Sequence, residues 1–238
     1  MLLYVTEAFV KSGAKLMRGK IVAVLSLALL AAVAVAVLPF ETVIAAIPDP
    51  AIDADPNAAK GRQTAVLAGG CFWCTEVVFE HLIGVEKVTS GYAGGDARTA
   101  HYELVAEGRT DHAEAVEIVF DPAKISYGQI LKVFFGVAHD PTTLNRQGPD
   151  WGRQYRSAIF WNSAEQKRIA EAYVAQLTAA KVFSQPIVTV LGELEKFYPA
   201  EDYHQDFVKR NPRHPYVVVN ALPKLSKLSE GYPSLVKK

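Results

Sequence analysis

Between Thr64 and Leu82 the chain changes its apolar period at a pair of glycines, and no other stretch restricts the fold as much. Thr64 to Ala68 is a short apolar run of the kind that forms a buried strand. Gly69 and Gly70 permit a sharp turn. From Phe72 to Leu82 the apolar residues Val77, Val78 and Leu82, with Phe79 beside them, fall near helical spacing. A strand therefore passes directly into a helix, with Cys71 at the corner. Cys74 follows one turn later on the same helix face.

The chain has 238 residues, half of them apolar, enough for one well-packed domain. Lysine plus arginine equal aspartate plus glutamate at 25 each, so no net field selects nucleic acid or anionic lipid as a partner. Ala113 to Phe120, AEAVEIVF, alternates with period two and predicts a strand with Val116, Ile118 and Phe120 on one face. Ser126 with Gln129 forms a capping-box pattern before the apolar stretch Ile130 to Val137, and Ser163 with Gln166 does the same for a helix over Ala164 to Ala179. A strand is expected near Ile187 to Val190, a short helix from about Ala200 to Val208, and a glycine-rich loop over Gly91 to Gly95. Interspersed strands and helices predict an α+β fold, one domain whose mixed or antiparallel sheet is covered by helices.

The N-terminal residues read differently. Arg18 and Lys20 precede an apolar run from Ile21 to Leu38, Pro39 interrupts it, and small residues follow at Ala45 and Ala46. That order suits an export signal, while the length of the run also suffices to span a bilayer. Residues 1–46 are thus read as a cleaved signal or an uncleaved anchor, in preference to a buried helix, and a start at Met17 would give a signal of conventional form. Either way the chain is exported, periplasmic or anchored facing the periplasm, and any membrane contact is through this segment. Residues 47–62 hold three prolines and no apolar period, which suits an extended linker, and residues 63–238 form the domain.

Cys71 and Cys74 are the two cysteines of the chain. A disulfide over so short a loop removes little entropy from the unfolded chain, which argues against a structural bridge. A zinc half-site would need a second CxxC or histidines at ligand spacing, and neither is present, so no metal or other cofactor is expected. A thiol at the first turn of a helix meets unpaired N–H groups and the positive end of the helix dipole, which favour a thiolate at Cys71. Phe72 and Trp73, between the two thiols, either line a pocket or pack in the core. Glu114, in the alternating strand, reads equally as a solvated glutamate. His112, His139 and His204 read as local hydrogen-bonding groups, and Asn145, Arg146 and Gln147 as a brace for the loop carrying Asp150.

GCFWCTE, followed in order by GYAGG, HYELV, DHAEAVEIVFDP, HDPTTLNRQGPDWGRQYRSAIF and FYPAEDYHQDF, resembles peptide methionine sulfoxide reductase of the A class, from about Thr64 to Pro212. The resemblance implies a two-layer sandwich and reduction of methionine (S)-sulfoxide, in proteins and peptides and as the free amino acid. It makes Cys71 the nucleophile, Glu114 the general acid, Tyr102 and Tyr155 the donors to the sulfoxide oxygen and Asp150 a polar residue of the same site. Phe72 and Trp73 match the pocket for the substrate's S-methyl group. Many members carry a resolving cysteine in a glycine-rich tail, whereas here the tail has none and resembles a variant ending PYVV and PK. Cys74 is then the internal candidate for resolving a Cys71 sulfenic acid, with a thioredoxin-like dithiol to reduce the disulfide. The protein is expected to act as a monomer. Two other readings use the same residues: a thioredoxin-type thiol–disulfide oxidoreductase, and an envelope binding module whose aromatics hold a peptide.

Overall fold

The computed structural model describes residues 47–55 and 61–238. The export signal or anchor expected over residues 1–46 lies outside the described residues. Along the chain the elements are β1 (Gln63–Gly69), α1 (Phe72–Glu80), β2 (Val85–Ala93), α2 (Tyr102–Ala106), β3 (Ala113–Phe120), α3 (Tyr127–Val133), β4 (Arg146–Gln147), β5 (Asp150–Trp151), β6 (Ser157–Trp161), α4 (Ala164–Ala179), β7 (Val190–Glu193), β8 (Phe197–Pro199), α5 (Phe207–Arg210) and α6 (Leu222–Gly231). Six strands form a mixed sheet in the order β7-β6-β1-β3-β2-β8, antiparallel except for the parallel β6–β7 pair. The predicted α+β domain is present.

Alternation within the central strands separates two cores. Leu67 of β1 and Val116, Ile118 and Phe120 of β3 join Phe79 of α1, Ile130 of α3 and Tyr173 of α4 in the larger cluster, all fully buried. Val66, Ala68, Ala113, Ala115 and Ala158 point to the other face and pack with Phe160. The expected face of β3 is thus the one covered by helices. Each large side chain buried there contributes about 1.5–3 kcal/mol relative to exposure.

The Ser126 capping box forms completely: its Oγ accepts from Gln129 N at 3.1 Å and Gln129 Oε1 accepts from Ser126 N at 3.0 Å. A π-turn, Phe134–Ala138, continues α3. At α4 only half the box is present. Ser163 Oγ accepts from Gln166 N at 3.2 Å, but Gln166 Nε2 donates to the Thr64 carbonyl at 2.7 Å and ties the helix to β1.

Three expectations differ from the structure. The glycine-rich segment is not wholly a loop, because β2 runs through Gly91 to Ala93 and pairs on both sides, with β3 and β8. A Cβ on Gly91 would lie 2.3 Å from the Tyr198 carbonyl oxygen, so here glycine serves close strand approach. The strand expected near Ile187 to Val190 begins at Val190 instead, where it aligns with Ala158 of β6. The helix expected from Ala200 shrinks to α5. Gln205 bonds both the N–H and carbonyl of Ser90 at 2.9 Å, and Asp206 adopts a left-handed φ of 52°, so residues 200–206 hug the edge of β2 as a loop.

Residues 47–55 form no helix or strand, and they lie against the domain. Ile47 is buried, Tyr173 OH donates to the Pro48 carbonyl at 2.8 Å, and Asp53 accepts from Gly128 N at 2.8 Å and from Ser126 Oγ. The folded unit therefore starts before Gln63.

Candidate active site

Gly70 makes the corner between β1 and α1. Its φ is +86°, and a Cβ there would meet the Gln147 Cβ at 2.5 Å. Cys71 follows in the N-cap position, and its carbonyl accepts from Cys74 N at 3.1 Å and Thr75 N at 3.3 Å. The next free N–H of the helix, that of Phe72, donates to Glu114 Oε2 at 3.0 Å. Glu114 shares a strand face with Val116 and Ile118, which carries it under the helix start, 2 % exposed. Burial pushes its carboxyl up to about 8, only partly offset by the Phe72 N–H, while the nearby acids Asp150 and Cys74 raise it further. It holds a proton at neutral pH.

Phe72 is buried and Trp73 half-buried. The Trp73 indole stacks on Phe207 of α5, with centroids 3.6 Å apart and planes 7° from parallel, and its Nε1–H donates to His204 Nδ1 at 3.1 Å. The His204 ring lies between Phe72 and Tyr102, at 4.9 and 4.3 Å. Glu201 anchors the neighbouring helix, accepting from Tyr102 N at 3.0 Å and from Tyr92 OH at 2.8 Å. Tyr102 and Tyr155 both sit near Glu114 and Cys71; burial raises each hydroxyl first, and those acids raise it further, so both remain donors.

The two thiols are free and lie one turn apart at the start of α1. They open onto a cleft of about 320 Å³ between the 137–150 segment and the C-terminal segment, including Tyr216 and Lys224. Tyr216 OH is 4.0 Å from Cys74 Sγ and donates to Asp150 Oδ2. Burial pushes the Cys71 thiol well up, as do its hydrogen bond to Cys74 and the nearby Glu114. Cys74 is brought down to about 7, first by the Cys71 hydrogen bond and then, against burial, by Lys224 and Tyr216. The expectation of a resting thiolate at Cys71 is reversed. The helix N–H that would have served it is taken by Glu114, and the nearest ammonium favours Cys74.

The family model described as "Peptide methionine sulfoxide reductase" matches residues 63–234. The chain belongs to the peptide methionine sulfoxide reductase family. It is 55% identical over 201 residues to peptide methionine sulfoxide reductase MsrA 2 of Synechocystis, covering 84% of this chain and 92% of that protein. To the MsrA 2 of Mesorhizobium japonicum it is 54% identical over 181 residues, covering 76% and 93%. Among solved structures it is similar to reduced Mxr1 of Saccharomyces cerevisiae, with TM-score 0.59, 31% identity and coverage of 71% and 94%. Methionine sulfoxide reductase A of Corynebacterium diphtheriae aligns with TM-score 0.55 and 34% identity, over 70% of this chain and 84% of the other. The chain is accordingly an oxidoreductase that reduces methionine sulfoxide by thiol chemistry.

In this peptide methionine sulfoxide reductase, Cys71, Phe72, Trp73, Cys74, Tyr102, Glu114, Asp150 and Tyr155 all gather around the start of α1. Gln147 braces the Asp150 loop as read from sequence, with Nε2 donating to the Asp140 carbonyl at 2.6 Å and Oε1 accepting from Asp140 N at 3.0 Å. His112 bonds the Asp96 carbonyl at 3.0 Å, and His139 bonds the Phe134 carbonyl at 3.0 Å and the Ser157 hydroxyl at 2.6 Å. His204 does more, since it holds the Trp73 indole. Sequence reasoning missed Tyr216, Lys224, Phe207 and Glu201. The PY and PK dipeptides marked the tail, but nothing in their spacing places a hydroxyl and an ammonium beside two distant thiols. Among the described residues no group of three or more His, Cys, Asp or Glu could hold a metal ion.

Proposed function

We propose that the reductase acts on methionine (S)-sulfoxide in peptides and proteins through a Cys71 sulfenic acid that Cys74 resolves. The observation that carries this reading is the Glu114 carboxyl, uncharged at neutral pH and bonded to the helix start that presents Cys71. Cys71 passes its proton across the thiol pair to Cys74 and attacks the sulfoxide sulfur. Glu114 protonates the oxygen, which would otherwise leave as oxide, and Tyr102 and Tyr155 hydrogen-bond it as charge develops. Phe72 and Trp73 hold the S-methyl group, where one buried carbon is worth roughly 1 kcal/mol and mainly orients the substrate. The oxygen leaves as water on taking a second proton from solvent, which joins Cys71 to the substrate as a thio-sulfonium; water then adds to the Cys71 sulfur, that S–S bond breaks, and methionine departs with release of a proton, leaving Cys71 as the sulfenic acid. Asp150 orients Tyr216 beside the thiols.

The resulting disulfide faces the solvent-open cleft, which suits reduction by a thioredoxin-like dithiol protein. The charged, apolar and small order of residues 1–46 supports export, with the domain in the periplasm or anchored facing it, acting as a monomer. The test is single-turnover reduction of separated R and S sulfoxide peptides by the prereduced protein, with Cys71→Ser and Cys74→Ser alongside. Methionine should form from the S epimer only, not at all with Cys71→Ser, and with Cys74→Ser should leave a trappable sulfenic acid. Methionine from both epimers, or from the Cys71 variant, would sink the reading.

A further inference from the structure

The C-terminal helix reaches the thiol pair through one side chain. Lys224 follows Leu222 and Pro223 in the first turn of α6, and its ammonium donates to the Ala138 carbonyl at 2.6 Å, where the π-turn after α3 ends. That bond fixes the charge on the wall of the cleft that holds both sulfurs. Among the described residues Lys224 makes no ion pair with a carboxylate. The groups facing Cys74 are Cys71 from its own helix, Tyr216 from the turn before α6, Asp150 from β5, Glu114 from β3 and Lys224 itself. His139, Asp140 and Lys227 line the same cleft. Glu114 keeps its proton and Asp150 accepts the Tyr216 hydroxyl, and of the two lysines lining the cleft Lys224 is the one held by the Ala138 carbonyl and acting on Cys74.

We propose that Lys224 is a positioning residue for the second half of turnover, its anchored ammonium holding Cys74 as a thiolate against Cys71. A tail without a cysteine then still serves the resolving step. The inference rests on the resolving role proposed for Cys74. In that step Cys74 attacks the sulfur of the Cys71 sulfenic acid. An S–S bond forms as the S–O bond breaks, hydroxide leaves and becomes water on taking one proton, Cys74 is oxidised from thiolate to disulfide, and Cys71 is reduced from sulfenic acid to disulfide.

Raising a thiol's pKa by one unit cuts its thiolate fraction about tenfold below that pKa and returns roughly threefold in nucleophilicity, so the net loss is about threefold in acidic solution. The experiment mixes the prereduced full chain with one equivalent of an S-sulfoxide peptide from pH 5 to pH 9. Methionine, the dimedone adduct of Cys71 and the Cys71–Cys74 disulfide are quantified by mass spectrometry over time. The wild-type chain should form the disulfide at a rate that rises with pH, with a midpoint set by ionisation of Cys74. Lys224→Met should move that midpoint upward, slow disulfide formation about threefold at pH 6 and increase the dimedone adduct, and Lys224→Arg should restore the wild-type profile. A Lys224→Met profile with an unshifted midpoint, or a shift that arginine does not rescue, overturns the role of Lys224 alone. Methionine without a Cys71–Cys74 disulfide in the wild type overturns the resolving reading and this inference with it.

Discussion

Glu114 shows how one side chain can be legible in its position and not in its state. Period two in AEAVEIVF puts residue 114 on the face of Val116, Ile118 and Phe120, but an alternating strand suits a solvated glutamate as well, and its proton is held by burial beneath the helix start, against the single N–H from Phe72. Glu114→Gln removes the proton donor and should slow single-turnover methionine formation by about 10²- to 10⁴-fold, with Cys71 still alkylated by iodoacetamide. The wild-type chemical step should fall as pH rises through about 8, because ionisation then removes the acid form. A rate that stays level from pH 7 to pH 9.5 would contradict this. The charge on the thiols was misread for a related reason. Helix position pointed to Cys71, but burial raises that thiol and its pairing lowers Cys74 first, with Glu114, Tyr216 and Lys224, from three distant segments, adding to the effect.

At the scale of elements, local signals decided what could be read. The strand–glycine–helix corner, β3 and the two serine caps depend on neighbours in sequence and appear where the pattern puts them. β2 and α5 depend on partners far away: the carbonyl of Tyr198 over Gly91, and the Gln205 bonds to Ser90. Gly70→Ala must hold a left-handed φ and press a methyl into Gln147, so a loss of about 1–3 kcal/mol is expected in chemical denaturation, together with lower turnover as the Asp150 loop shifts. Ser126→Ala removes a helix cap and the hydroxyl bonded to Asp53, and should cost about 1–2 kcal/mol with turnover unchanged. Equal stability of the alanine variant would mean that the box contributes nothing.

For the molecule as a whole, buried titratable groups set opposite limits. Glu76 and Glu114 are raised to about 8 and Glu80 to about 7, each chiefly by burial. Between their unfolded values and those pH values the folded protein binds more protons than the unfolded chain, so stability falls as pH rises from mildly acidic to about 8. His139 is lowered to about 3 by burial, so below its ordinary range the unfolded chain binds the extra proton and stability falls as pH drops. Thermal unfolding should therefore occur at the highest temperature in mildly acidic solution. Glu76→Gln should flatten the alkaline limb, and an unchanged slope would remove Glu76 from this account. The segment 47–55 adds to stability through Ile47, Pro48 and Asp53, so a chain beginning at residue 61 should melt lower than one beginning at residue 47.

The stack of Trp73 on Phe207 has an optical consequence. Trp73 is one of three tryptophans, and its indole packs in one cluster with Cys71, Cys74 and Tyr216. Disulfides quench indole emission at short range, whereas Trp151 and Trp161 sit on other elements and supply a steady background. The Cys71–Cys74 disulfide proposed above would thus dim the protein's own fluorescence and its reduction restore it, so that stopped-flow emission could follow oxidation and recycling without a label.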